Sequence, residues 1–198
     1  MTTQTAMDER ARRRTIGFLN WAHFLDHYVI LIFPTVVIGL EAVYGRSYGD
    51  LLILSTAAFT AFGLFALPAG WLADKWSRRN MIAVYYFGTG ICCALVAASD
   101  SFETLAAALF GVGLFAAIYH PVGLAMVTQK WKNTGMRLAV NGVWGNLGVA
   151  SAALITGYLI DNGGWRMAFI IPGCFSIAIG AAYALVRRAE ISSRRASA

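Results

Sequence analysis

Charge is scarce in this sequence. Only 13% of its 198 residues are Asp, Glu, Lys or Arg, about half of the roughly 25% usual in a soluble domain. Apolar residues make up 58%, so disorder is excluded and lipid is the expected solvent. Cysteine is also sparse: Cys92, Cys93 and Cys174 all lie in apolar runs. Adjacent Cys92 and Cys93 do not easily bridge one another, and buried thiols behave as small apolar groups, so they define no redox compartment. Strand-like alternation with period 2 is missing, and an open sheet leaves its backbone unpaired in hydrocarbon, so helices are the viable spanning element. The sequence contains no P-loop, no GxSxG and no paired catalytic carboxylates, and its polar connections are too short for a further domain. The string Gly111-Val-Gly113-Leu-Phe-Ala116 superficially matches a dinucleotide fingerprint but has no preceding strand. An enzyme is not expected, nor is a cofactor.

What is present is a set of long uncharged runs: Leu51–Ala73, Asn80–Ser99, Thr104–Gln129, Leu138–Ile160 and Met167–Val186. Each reaches the roughly 20 residues that a helix needs to cross a bilayer at about 1.5 Å per residue. Thr15–Val43 is equally apolar except for Asp26, Glu41 and two histidines. The predicted fold is therefore an all-α integral membrane protein with six transmembrane helices. A basic N-terminal tail (1–14) precedes the membrane domain (15–188), and a short C-terminal tail (189–198) follows it, polar and expected to fray from Ile191 onward. The first run is too long for a signal peptide and has no small-residue cleavage site, so it is read as a retained helix.

The excess of 16 basic over 10 acidic residues would suggest nucleic acid in a soluble chain. Its distribution points to topology instead. Arg10, Arg12, Arg13 and Arg14 precede the first run; Lys75, Arg78 and Arg79 follow the second; Lys130, Lys132 and Arg137 follow the fourth; Arg187, Arg188, Arg194 and Arg195 end the chain. Only Arg46 and Arg166 fall on the opposite side. The positive-inside rule then places both termini in the cytoplasm, as an even number of spans requires. The expected location is the cytoplasmic (inner) membrane, with lipid as a partner and no nucleic acid.

The connection Gly70-Trp71-Leu72-Ala73-Asp74-Lys75-Trp76-Ser77-Arg78-Arg79 resembles the major facilitator superfamily motif G-x-L-A-D-[RK]-x-G-R-R, with Ser77 in place of the usual Gly. Gly164-Trp165-Arg166-Met167-Ala168-Phe169 is similar to the family's G-W-R-x-x-F. The family's helix-4 Arg is replaced by Ala107, and the Gly-Pro pair of antiporters is absent from helix 5. Ala117-Ala-Ile-Tyr119-His120-Pro121 and Gly145-Asn146-Leu147-Gly148 resemble the fosmidomycin-resistance-like branch. The resemblance covers the whole chain and implies the N-terminal six-helix half of a twelve-helix bundle. It also implies that Gly70, Asp74, Lys75, Arg78 and Arg79 form a cytoplasmic gate. On physical grounds alone Asp74 suits the N-terminal dipole of the third helix. The alternative is that these charges only fix topology.

The first run holds the most unusual chemistry. His23, Asp26 and His27 share one helical face, continued by Asn20 and Pro34. An ionisable group in a membrane normally has a partner or a wet cavity. Counting from Thr15 and Lys130, His23 and His120 lie about 12 and 15 Å deep at about 1.5 Å per residue. The resemblance implies that helices 1 and 4 line a central cavity, so His23, Asp26, His27, Tyr119, His120 and Asn146 are the candidate substrate or proton-binding residues. Three readings of the histidines are open: a proton relay or pH-dependent site, a transition-metal site, and a hydrogen-bonded set that fixes helix packing. No CxxC or HExxH-type motif accompanies them, so no metal site is assigned. Asn141, Trp144, Gly145 and Gly148 share a face whose small residues favour close helix packing.

These readings predict a secondary active transporter, or half of one, that moves a small solute by alternating access and is open to proton coupling or symport. It would be completed by a second copy, by a separately encoded C-terminal half, or by the missing half of a longer chain of which this is a fragment, since the family's halves are parallel repeats with the site between them. The alternative is a non-transporting subunit that scaffolds a larger membrane complex.

Overall fold

The computed structural model describes residues 3–129 and 133–196, with side chains placed over 9–129 and 133–193. Lys130, Lys132 and the side chains of Arg194 and Arg195 therefore lie outside the described residues, as do the ends of both tails. The described chain is helical throughout: α1 (Thr3–Val36), α2 (Glu41–Tyr44), α3 (Tyr48–Leu52), α4 (Leu54–Lys75), α5 (Arg78–Ala97), α6 (Phe102–Ala116), α7 (Tyr119–Thr128), α8 (Thr134–Gly163) and α9 (Met167–Ala196). Six of its helical stretches are long and apolar enough to cross a membrane, as predicted. They are α1, α3 with α4, α5, α6 with α7, α8 and α9.

Local sequence explains where these helices begin and break. Ser47, Ser77 and Ser101 cap α3, α5 and α6, each accepting a hydrogen bond from the backbone N–H three residues on. Such caps satisfy donors that a helix start leaves unpaired. The fourth span is not the single helix expected over Thr104–Gln129. It turns at Ala117 and Ile118, where Ile118 N–H bonds to Phe115 O, a tighter 3.2 Å turn contact. Pro121 explains the break, because it has no N–H to offer the carbonyl of residue 117 and its ring crowds that position. Nor does the first span run to Val43. Pro34 lies in the last turn of α1, and a 3₁₀ turn over Val37–Gly39 follows.

The tails also differ from expectation. α1 begins at Thr3 rather than near residue 15, and α9 continues to Ala196 instead of fraying after Ile191. α9 meets α1 where Arg14 is 3.4 Å from Glu190, and it meets the start of α5 where Tyr183 donates to Arg79 O at 3.2 Å and Arg187 donates to Asn80. The basic residues therefore collect at one end of the bundle.

The principal contacts pair α1 with α8, α5 with α9, α4 with α6, and α5 with α6. In span numbers these are 1 with 5, 3 with 6, 2 with 4, and 3 with 4. Exchanging the first three spans for the last three maps 1–5 onto 4–2 and leaves 3–6 unchanged. That is the pattern of two three-helix units of inverted topology. At the end away from the basic cluster, Arg166 joins the two halves by donating to Ala97 O at 2.9 Å and Asp100 Oδ1 at 2.8 Å. Gly164, at φ +79°, supplies the turn before it; only glycine adopts that conformation freely.

Candidate functional site

α1 carries the first part of the site on its buried face: Asn20, His23 and Asp26, with half-buried His27 beside them. α8 packs against this face with its smallest residues. A Cβ at Gly148 would lie 2.2 Å from Phe24 O, and one at Gly145 would lie 2.6 Å from His23 Nε2. No side chain fits at either position, so the two glycines set the closeness of the helices. Asn141, one turn before Gly145, is fully buried and joins four groups. Its carbonyl accepts from His23 Nδ1 at 2.8 Å, and its Oδ1 accepts from Tyr119 Oη at 2.9 Å. Its Nδ2 donates to Asn20 Oδ1 at 3.0 Å and to Leu19 O at 3.3 Å. The half-buried Trp144 stacks edge-on against Trp21 at 4.8 Å.

The turn before α7 brings Tyr119 and His120 to the same place. The Tyr119 ring stacks on His23 with centroids 4.8 Å apart. His120 has its ring centroid 5.3 Å from both His23 and His27, and its Nε2 is 3.3 Å from Asp26 Oδ2. His23 Nε2 and His27 Nε2 are 3.1 Å apart. Asp26 is 1% exposed, yet its Oδ1 has no hydrogen-bond partner, and its Oδ2 meets His120 at ion-pair distance without good hydrogen-bond alignment. A buried carboxylate left this incomplete is costly, by several kcal/mol per uncompensated ion. His120, one-third exposed, opens the cluster on the side where Phe62 of α4 approaches its ring at 5.8 Å.

The structure thus brings together five of the six residues expected to bind substrate or protons: His23, Asp26, His27, Tyr119 and His120. Asn146 is not among them. It is exposed on α8, on a different face from Asn141, which takes the polar position facing α1. Spacing along α8 marks Asn141 only as one of a packing stripe. That its amide would meet α1 depends on the rotation of α8, which no pattern in the sequence specifies. Tyr85 of α5 is a further member, donating to Ala22 O at 2.8 Å, and it was legible only as an aromatic in an apolar run.

The residues expected to form the cytoplasmic gate lie elsewhere, at the basic end. Asp74 Oδ1 accepts from Arg78 Nη2 at 2.8 Å and from its Nε at 3.0 Å. Asp74 therefore does not meet the free N–H groups of α5, as expected for a dipole partner; Ser77 caps them instead. That gives Ser77 a role in the place of the usual motif glycine. Lys75 is exposed, and the Arg79 carbonyl receives Tyr183. Gly70 ties the two regions together, because a Cβ there would lie 3.2 Å from Pro121 Cβ, next to His120.

The family model of the Major Facilitator Superfamily matches residues 16–198. The chain belongs to the major facilitator superfamily. It is 26% identical over 162 residues to the cis,cis-muconate transport protein of Acinetobacter baylyi, a match covering 80% of this chain and 38% of that protein. It is 30% identical over 181 residues to the probable nitrate/nitrite antiporter NarK1 of Thermus thermophilus, covering 84% of this chain and 40% of that protein. Among solved structures it superposes on a bacterial homologue of the human lysosomal transporter Spinster, in an inward-facing and unoccupied conformation, with a TM-score of 0.76 and 18% identity. That match covers 89% of this chain and 43% of the other. The chain spans about two fifths of the length of these superfamily relatives, and its fold corresponds to one six-helix half of the superfamily bundle.

Proposed function

We propose that this six-helix bundle forms half of a secondary active transporter that moves a small solute across the inner membrane by alternating access, with protons as the coupling ion. The observation that carries the reading is Asp26: a carboxylate deep in the first span, buried, incompletely paired and set against a histidine that opens to one side of the bundle. Insertion scales put the cost of a carboxylate at mid-membrane at about 2.5–3.5 kcal/mol, and such residues mark ion or substrate routes. Histidine titrates in the cellular pH range, so a proton can pass between Asp26 and His120 as the site changes its exposure. The open side is where a second six-helix bundle completes the route. Asp74, Lys75, Arg78 and Arg79 act as the cytoplasmic gate, and Gly70 lets α4 approach α7 closely enough to link that gate to His120. Both termini then face the cytoplasm, following the basic end.

The test is proton movement in proteoliposomes holding the purified protein and an internal pH-sensitive dye. Nitrate, a hexose phosphate and cis,cis-muconate, solutes named for relatives of this chain, are added in turn. One of them should move protons with the wild-type protein, and Asp26→Asn should abolish that signal. Equal signals from wild type and Asp26→Asn would remove Asp26 from the route. Stable co-purification with unrelated integral subunits, without flux for any solute, would favour the scaffolding subunit.

A further inference from the structure

The histidine cluster has a geometry that proton transfer does not require. One ring nitrogen from each of His23, His27 and His120 lies within 4.8 Å of the others. His23 and His27 come from successive turns of α1, and their Nε2 atoms are 3.1 Å apart. Nitrogens bound to one tetrahedral metal ion at about 2.0–2.1 Å lie about 3.3 Å from each other. The third nitrogen, on His120, lies within 4.8 Å of both, so binding an ion requires that half-buried side chain to close in.

The surroundings prepare two of these rings as ligands. His23 Nδ1 donates to the Asn141 carbonyl at 2.8 Å, and a carbonyl only accepts, so Nδ1 carries the hydrogen and Nε2 presents its lone pair to the cluster. His120 Nε2 faces the Asp26 carboxylate at 3.3 Å, which leaves the lone pair of its Nδ1 available. Metal-binding histidines characteristically have their outer nitrogen held by a carbonyl or a carboxylate in this way. Asp26 has an oxygen without a hydrogen-bond partner at 1% exposure, and it supplies negative charge beside a cation. Gly145 leaves room for the His23 ring where any side chain would displace it. Among the described residues, Cys92 and Cys93 are buried on α5 and Cys174 lies on α9, none of them in the cluster, so the donors are imidazole nitrogens.

We propose that His23, His27 and His120 bind one divalent first-row transition-metal ion, with Asp26 as the carboxylate behind His120. Imidazole donors select zinc and its neighbours over magnesium or calcium. The proposal rests on the reading of this cluster as a site open to an aqueous route, because the ion must reach it.

The test is titration of the purified full chain, without a polyhistidine tag, in detergent at neutral pH. Co²⁺ is the optical probe and Zn²⁺ the competitor. One Co²⁺ per chain is expected, with the strong visible bands of a four- or five-coordinate ion, displaced by Zn²⁺. His27→Gln and His120→Gln should each weaken binding by more than about 100-fold, while Asp26→Asn, an outer-shell change, should weaken it about 10–100-fold. A variant with all three cysteines replaced by serine should bind as wild type. X-ray absorption of the Zn²⁺-loaded wild-type protein gives an answer that needs no variant to fold: imidazole nitrogens at about 2.0 Å are expected. Failure of the wild type to bind Co²⁺ saturably, binding unchanged in both histidine variants, or sulfur in the Zn²⁺ shell would overturn the proposal. Proton flux that depends on Asp26 without metal binding would leave the transport reading standing alone. Metal binding without flux would do the reverse.

Discussion

A single methyl group separates tolerance from disruption on α8. At Gly148 it would enter the space of Phe24 O, 2.2 Å away, whereas at Gly142 nothing lies within 4 Å. Backbone cannot yield as a flexible side chain does, so Gly148→Ala should destabilise the protein by about 1–3 kcal/mol, the usual cost of overpacking. Gly142→Ala should instead be neutral or stabilise by up to about 1 kcal/mol, since alanine is the better helix former. Thermal unfolding in detergent measures both; a similar shift for the two variants would contradict the packing of α1 on α8. The same contact holds the polar network in place. Asn141 has four partners because these glycines let its helix come close, and His23 keeps its orientation through the Asn141 carbonyl.

Between elements, the pair Asp74–Arg78 spans the join of α4 and α5 in solvent. An exposed ion pair contributes about 0.2–1 kcal/mol, so Asp74→Asn should lower the melting temperature only slightly. If the pair belongs to the gate, solute-driven proton flux should fall at least tenfold in the same variant; full flux would leave these charges with topology alone. The spans were legible because hydrocarbon demands about 20 uncharged residues, whatever the helices pack against. The shared face of His23, Asp26 and His27 was legible because helical period is local. The turn at residues 117–118 was written in Pro121 but hidden by the uninterrupted apolar run around it. Asn146 and Asn141 were indistinguishable in kind, and only the rotation of α8 against α1 separates them. The Ser77 cap was likewise visible only as a departure from a motif, until the helix start gave it an N–H to accept.

At the scale of the molecule, α4 and α8 leave most of their surface uncovered, and large apolar side chains such as Leu67, Leu154 and Tyr158 stand exposed. Part of that surface meets lipid, and the part beside His27 and His120 faces the route under the account given above. The two environments differ in water, not in apparent exposure. Labelling of single cysteines by a membrane-impermeant maleimide, in native membranes and a background lacking Cys92, Cys93 and Cys174, separates them. His27 and Ile91 lie at comparable depth, 12 and 13 residues into their spans from Thr15 and Arg78, and Ile91 projects outward from α5 with 52% exposure. The account predicts that His27→Cys reacts while Ile91→Cys does not. Labelling of His27→Cys no faster than Ile91→Cys would contradict it, because the ionisable cluster would then face no water.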